Sequence, residues 1–148
     1  MRSKKLLVLD TAFTYEAIEK RGLKSSVTCR DLDGYFEHVW SIHPFASLVS
    51  TRDYGPEYGR PKTYYVNEKH TIIEGKVGFS SKLKKVAIIN FLFSQIDILF
   101  FLIKLIQKEK ISVVRAGDPL YLGVFGYMLS RIMRIPLVVR VGSNNDKL

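Results

Sequence analysis

The sequence has a single cysteine, Cys29, among its 148 residues, which excludes an intrachain disulfide and a cysteine-rich zinc site. Histidine is scarce too: His38, His43 and His70 show no metal-ligand spacing such as His-x3-His, and no cofactor is expected. Neither Gly-x-Gly-x-x-Gly nor Gly-x4-Gly-Lys-Ser/Thr occurs, so the standard dinucleotide fingerprint and the P-loop are both missing. There is no Ser/His/Asp order that reads as a triad, no internal repeat and no low-complexity tract. No aromatic–basic stripe marks an RNA-reading sheet, and nucleic acid is not expected as a partner. Acidic residues are few: 14 Asp+Glu stand against 23 Lys+Arg, for a net charge of +9. That balance favours anionic partners and says nothing about fold. The N-terminus is basic, but only Leu6, Leu7, Val8 and Leu9 are apolar before Asp10, too short a run for the core of a signal peptide. The expected compartment is cytoplasmic.

What is present is organised around residues 111–148. Ile111, Ser112, Val113, Val114 and Arg115 form a short β-branched run that fits a buried parallel strand. Ala116 and Gly117 break it, and Asp118-Pro119 reads as a helix N-cap followed by proline at the first helical position. Residues 120–134 have helical length and are apolar on almost every side. Ile135-Pro136 stops that helix, Leu137, Val138, Val139, Arg140 and Val141 form a second strand, and residues 142–146 turn out of it. The unit is βαβ, with both loops on the edge beyond the strands' carboxyl ends, where open α/β sheets place ligands.

Upstream, residues 5–9 read as a first buried strand running into Asp10-Thr11, followed by a helix over 14–21 ended by Gly22. Residues 26–30 are expected as a second strand and 31–34 as a turn. Residues 36–43 alternate apolar and polar and read as a strand. Residues 54–61 are turn-rich and read as an exposed loop, and 63–75 as a β-hairpin.

Residues 82–110 form the second informative stretch. Val86, Ile89, Leu92, Phe93, Ile96, Phe100, Ile103 and Ile106 recur at helical spacing and mark one face. Three readings compete here. A membrane span has the length but places Asp97 near its centre, at a cost of roughly 2.5–3.5 kcal/mol. A sheet-covering helix explains the stripe but leaves Phe101 and Leu102 facing outward. A sheet-covering helix whose outer face also meets membrane or another domain explains both. Lys82, Lys84, Lys85, Lys104, Lys108 and Lys110 suit an anionic lipid surface, or simply solvate the helix ends.

The candidate ligand contacts lie at the strand ends: Asp10 and Thr11 after the first, Arg115 and Asp118 at the next, and Gly142, Ser143, Asn144 and Asn145 after the last. Arg115 is a fork donor suited to phosphate or carboxylate, or to an ion pair. Asp118 reads as a ligand contact or as a helix cap. Gly142 to Asn145 offer backbone N–H groups and short polar side chains for a sugar or phosphate, or form a plain turn. Gly123 and Gly126 lie inside the helix and have a packing role. His43, Arg52 and Asp53 surround the turn-rich loop, in reach of an acceptor or in structural roles.

From the helix at 82–110 through Ile111-Ser112-Val113-Val114-Arg115-Ala116-Gly117-Asp118-Pro119, and on to Ile135-Pro136-Leu137-Val138-Val139-Arg140-Val141-Gly142, the sequence resembles the N-terminal half of GT-B glycosyltransferases. The match is to the family 4-like group, which transfers sugars with retention. In that group the loop after the Ile-Pro-Leu-Val-Val strand serves the acceptor side of the cleft, often as His-Gly; here Val141 stands at the His position and Gly142 matches. Residues 36–45 resemble the group's third strand. The glycine pair after the first strand is replaced by Asp10-Thr11-Ala12-Phe13-Thr14, and the Glu-x7-Glu motif of the second domain is absent.

The resemblance implies an α/β, Rossmann-like three-layer domain with a mostly parallel sheet, residues 1–148 forming the N-terminal half of a GT-B fold, truncated at its C-terminus. It implies the acceptor side of an enzyme that moves sugar from a nucleotide-sugar donor, bound mainly through a missing C-terminal domain, to a glycan or lipid-linked acceptor. The isolated chain is then expected to be inactive. With the short apolar run at the N-terminus and the lysines around the helix at 82–110, the expected location is cytoplasmic, peripheral at the inner face of the membrane. The alternative is a non-catalytic, basic α/β binding module that recognises an anionic ligand near a membrane surface.

Overall fold

A computed structural model describes residues 4–12, 14–46, 61–75 and 87–141. The run Leu6-Leu7-Val8-Leu9 has no polar position, and such a strand is at home only where both of its faces are covered. It lies there: β1 (Lys5–Leu9) pairs in parallel with β2 (His38–His43) on one side and with β5 (Val113–Ala116) on the other. Beyond β2 come β4 (His70–Glu74), parallel, and β3 (Lys62–Asn67), antiparallel. At the opposite margin β6 (Leu137–Val139) runs parallel to β5. The six strands are ordered β3-β4-β2-β1-β5-β6. The parallel strands thus follow the doubly wound pattern: the chain builds outward from β1 on one side, then returns to the centre and builds outward on the other.

The expected Rossmann-like α/β sheet, mostly parallel, is therefore present, and β5 and β6 are parallel neighbours with Arg115 opposite Val138. The expected hairpin is β3–β4, with a register shift between Tyr65 and Asn67. At the β6 margin Val138 and Val139 are exposed.

On one face lie α1 (Tyr15–Lys20) and α2 (Lys24–Thr28). The Thr14 hydroxyl caps α1 by accepting from the Ala17 N–H at 3.3 Å, and Gly22 follows with φ +63°. Ile18 of α1 and Val27 of α2 pack with Ile72 of β4. The strand expected at 26–30 is not formed; α2 and a 3-10 turn (Cys29–Asp31) occupy that stretch. The reason is that Val27 is its one buried side chain, so there is no alternating apolar face for a sheet to bury.

The other face carries α3 (Ala87–Glu109) and α4 (Tyr121–Met133). Ile98, Leu102 and Ile106 of α3 and Leu122, Phe125 and Leu129 of α4 close over Leu7, Leu9, Trp40, Ile42 and Ile73. Gly126 allows the close approach, since a Cβ there would lie 3.0 Å from Leu137 Cδ1 and 3.3 Å from Leu9 Cδ1. This is the packing role expected of it.

The phase of α3 differs from the expected stripe. Leu102 is fully buried and Phe101 half-buried, whereas Leu92, Phe93, Ile96 and Phe100 are exposed. Ile106 is buried as expected, and Val86 lies outside the described residues. A helix apolar on every side is not phased by hydropathy; here two polar residues set its rotation. Ser94 and Gln95 turn inward because they find partners there. The Ser94 hydroxyl donates to the Phe91 carbonyl at 2.8 Å, Gln95 Nε2 donates to Ser94 Oγ at 3.0 Å, and Gln95 Oε1 accepts from the Tyr121 hydroxyl. Among the described residues no helix is long and apolar enough to cross a membrane.

Candidate functional site

Because five strands run the same way, their carboxyl ends share one rim. The Asp10 N–H donates to the Ile42 carbonyl at 2.9 Å, Gly117 N–H to Leu9 at 2.9 Å, Gly75 N–H to His43 at 2.8 Å and Arg140 N–H to Ala116 at 2.9 Å. The strand order reverses between β1 and β5. Asp10-Thr11 and Gly117-Asp118 therefore flank the switch point at which doubly wound sheets hold ligands. Of the expected contacts, Asp10, Thr11, Arg115 and Asp118 come together at this rim. Gly142, Ser143, Asn144 and Asn145 lie outside the described residues, as do Arg52 and Asp53.

Asp118 Oδ1 accepts from the N–H of Leu120 at 2.9 Å and of Leu122 at 3.4 Å. Asp118 is not the N-cap expected of it: Leu120 occupies the cap position and α4 begins at Tyr121, so Pro119 precedes the helix instead of opening it, and Asp118 reaches the first turn only through its side chain. The Asp118 charge is thereby engaged with the start of α4.

Strand alternation sends Ser41, Val8, Arg115 and Val138 to one face as a single row across four strands. This is the α1/α2 face. Arg30 reaches into the same row from the 3-10 turn: its Nη1 donates to Ser41 Oγ at 2.8 Å and its Nη2 pairs with Asp10 Oδ2. Burial lowers the Arg30 pKa, the Asp10 charge opposes that shift, and the nearby Arg115 charge adds to it. Asp10 is fixed from its other oxygen as well, which accepts from the Ala12 N–H at 2.9 Å. Sequence reasoning missed Arg30 altogether. Its partners, 11 and 20 positions away, meet it only because residues 24–31 fold as helical turns.

Next to Arg30 and Asp10 lies a small recess, lined on its polar side by Ser41 and His43 and closed by Ile18, Val27 and Ile72. His43 is 3% exposed and its Nδ1 has no hydrogen-bond partner among the described residues. Its ring meets Phe45 edge-on at 5.2 Å. Burial lowers its pKa, the Asp10 charge working against the shift, so the ring is neutral near pH 7.

Glu74 stands opposite His43 in the register, and its Oε1 accepts from the Tyr15 N–H at 2.5 Å. A side-chain carboxylate thus sits at the start of α1, the position a dinucleotide's pyrophosphate takes in Gly-rich relatives of this topology. The Tyr15 N–H at the start of α1 is therefore already taken by a side chain of the protein.

On the α3/α4 side of the rim, Tyr121 packs against Phe45 at 5.4 Å and Phe91 at 5.7 Å while its hydroxyl donates to Gln95. Burial raises the pKa of this phenol, so it stays protonated. Among the described residues no group of three or more His, Cys, Asp or Glu side chains is placed to hold a metal ion.

Fold and rim together define a Rossmann-like α/β domain with a polar switch point. Comparison of the chain with protein families, with curated proteins and with solved structures gives no match.

Proposed function

We propose that this chain is the acceptor-side half of a retaining GT-B-type glycosyltransferase. The observation that carries the proposal is the pair of polar corners, Asp10-Thr11 and Gly117-Asp118, facing each other across the switch point of a doubly wound sheet. In this reading they form one wall of a sugar cleft. The wall positions a glycan or lipid-linked acceptor and stabilises charge as the oxocarbenium-like state forms. The nucleotide-sugar donor is held mainly by a second α/β half carrying Glu-x7-Glu. The Glu74 carboxylate supports that division of labour, because it already takes the Tyr15 N–H at the start of α1. No cofactor is required.

The reading includes a location at the cytoplasmic face of a membrane. The outward face of α3 bears Leu92, Phe93, Ile96 and Phe100, 40–61% exposed, with Lys104 and Lys108 in the following turns and Asp97 at the margin. Apolar residues with lysines beyond them suit an anionic lipid surface.

The decisive experiment supplies the missing half. The gene beyond the Leu148 codon, or its neighbour, should encode an α/β half with the Glu-x7-Glu motif. Mixing the two halves should move labelled sugar from a nucleotide-sugar into a glycan or lipid extract, and neither half should do so alone. The absence of any such coding sequence, together with no transfer, ends the transferase reading. Flotation with phosphatidylcholine vesicles, with and without phosphatidylglycerol, tests the location; failure to float with either removes it.

A further inference from the structure

We propose that Arg30 and Arg115 together hold an oxyanion, a phosphoryl or carboxylate group, on the α1/α2 side of the carboxyl rim. Placement comes first. Ser41, Val8 and Arg115 are consecutive members of one row on three adjacent strands, and Arg30 is tied to Ser41 at 2.8 Å. The two guanidiniums therefore belong to one short stretch of one sheet face.

Their states differ in a way that suits a ligand. Arg30 is held in place, its side chain 14% exposed, by Ser41 and Asp10, which take two of its five N–H donors. Arg115 is half-buried and makes no ion pair among the described residues, beside Val138, which is 54% exposed. One arginine is preorganised; the other, with no ion pair among the described residues, can turn toward a bound group.

The charges leave a place for an anion. Among the described residues, two guanidiniums stand against the one carboxylate of Asp10. The other described carboxylates at the rim are engaged elsewhere: Asp118 with N–H groups at the start of α4 and Glu74 with that of Tyr15. Like charges placed together on a partly desolvated surface repel, and an oxyanion relieves that repulsion while accepting charge-assisted, forked hydrogen bonds.

Binding of the oxyanion does not depend on sugar transfer. If the transferase reading holds, the group is a phosphate or carboxylate carried by the acceptor. The test is titration calorimetry of the full chain with inorganic phosphate and with a hexose 1-phosphate, beside pelleting with phosphatidylcholine vesicles with and without phosphatidic acid. At least one phosphate-bearing probe should bind saturably. Arg115→Gln should weaken that binding by about tenfold and Arg115→Lys should recover part of it, while Lys69→Gln, exposed before the amino end of β4 at the opposite rim, should leave it unchanged. Arg30→Lys, which retains a charge beside Asp10, should also weaken binding; amide spectra of each variant establish that it folds. Binding to the soluble probes assigns a soluble ligand, and Arg115-dependent binding to vesicles alone assigns a lipid headgroup. Saturable binding to no probe, or Arg115→Gln binding as tightly as the parent chain, overturns the proposal. Arg115-dependent binding in a chain that never supports sugar transfer ends the transferase reading and leaves this one standing.

Discussion

On one face of the sheet α3 and α4 run 23 and 13 residues; on the other α1 and α2 run six and five. The long pair closes over one continuous apolar cluster drawn from β1, β2, β4 and β5, whereas the short pair meets a small one built on Ile18, Val27 and Ile72. Outward surfaces are reversed in character. The long helices expose Leu92, Phe100, Val124 and Tyr127. The short ones carry ion pairs, Glu16–Lys20 at 2.5 Å and Glu19–Lys24 at 3.0 Å. Thick cover supplies stability; thin cover leaves room at the rim for Arg30, Asp10, His43 and Arg115, so the polar chemistry gathers where least apolar surface is buried.

That contrast can be broken by mutation. Leu102→Ala, on the thick face, should cost about 3–4 kcal/mol in urea unfolding, because the side chain is fully buried and its cavity is ringed by rigid neighbours. Ile18→Ala on the thin face should cost about 2 kcal/mol, since a helix of six residues relaxes into the space. Equal losses at the two positions would refute the comparison. Gly126→Val should destabilise by about 2 kcal/mol by pushing α4 off Leu137 and Leu9, read from the same unfolding curves.

At the thin face, Asp10→Ala should cost about 1–2 kcal/mol. It strips Arg30 of its carboxylate, and the 26% exposure of the Asp10 side chain moderates the loss. A dependence on pH should follow from His43 and His70, both of which burial pushes below the ordinary value of 6.5. The unfolded chain takes up these protons first, so stability is full above about pH 6.5 and declines as the pH falls below it. Unfolding midpoints should drop on acidification over that range, and His43→Asn should flatten the slope. The smallest effect is expected at Phe100→Ser, within about 0.5 kcal/mol, since Phe100 is 61% exposed; a large loss there would restore the helix phase read from hydropathy.

The strands were legible because Leu6 to Leu9, Val113-Val114 and Leu137-Val138-Val139 are continuous apolar runs, and parallel strands buried on both faces demand such runs. Their common rim followed from the βαβ pattern, and with it the places of Asp10, Thr11, Arg115 and Asp118. The rotation of α3 was not legible. Hydropathy reads the wrong face when Ser94 and Gln95 have internal partners, and the one that ties Gln95 inward, Tyr121, lies on another helix. The helical turns at 24–31 were equally hidden, since Val27 alone decides them. Arg30, the side chain that ties Asp10 to Ser41, disappeared with them.

The two margins of the sheet carry a directional consequence. At β3 the outermost strand is antiparallel, its register slips between Tyr65 and Asn67, and Lys62 stands at its start, features that discourage another strand from docking alongside. At β6 three residues with exposed valines end the sheet, and nothing among the described residues lies beyond them. Among the described residues the two margins thus differ in kind, and main-chain groups not taken up by a strand partner lie beside Val138.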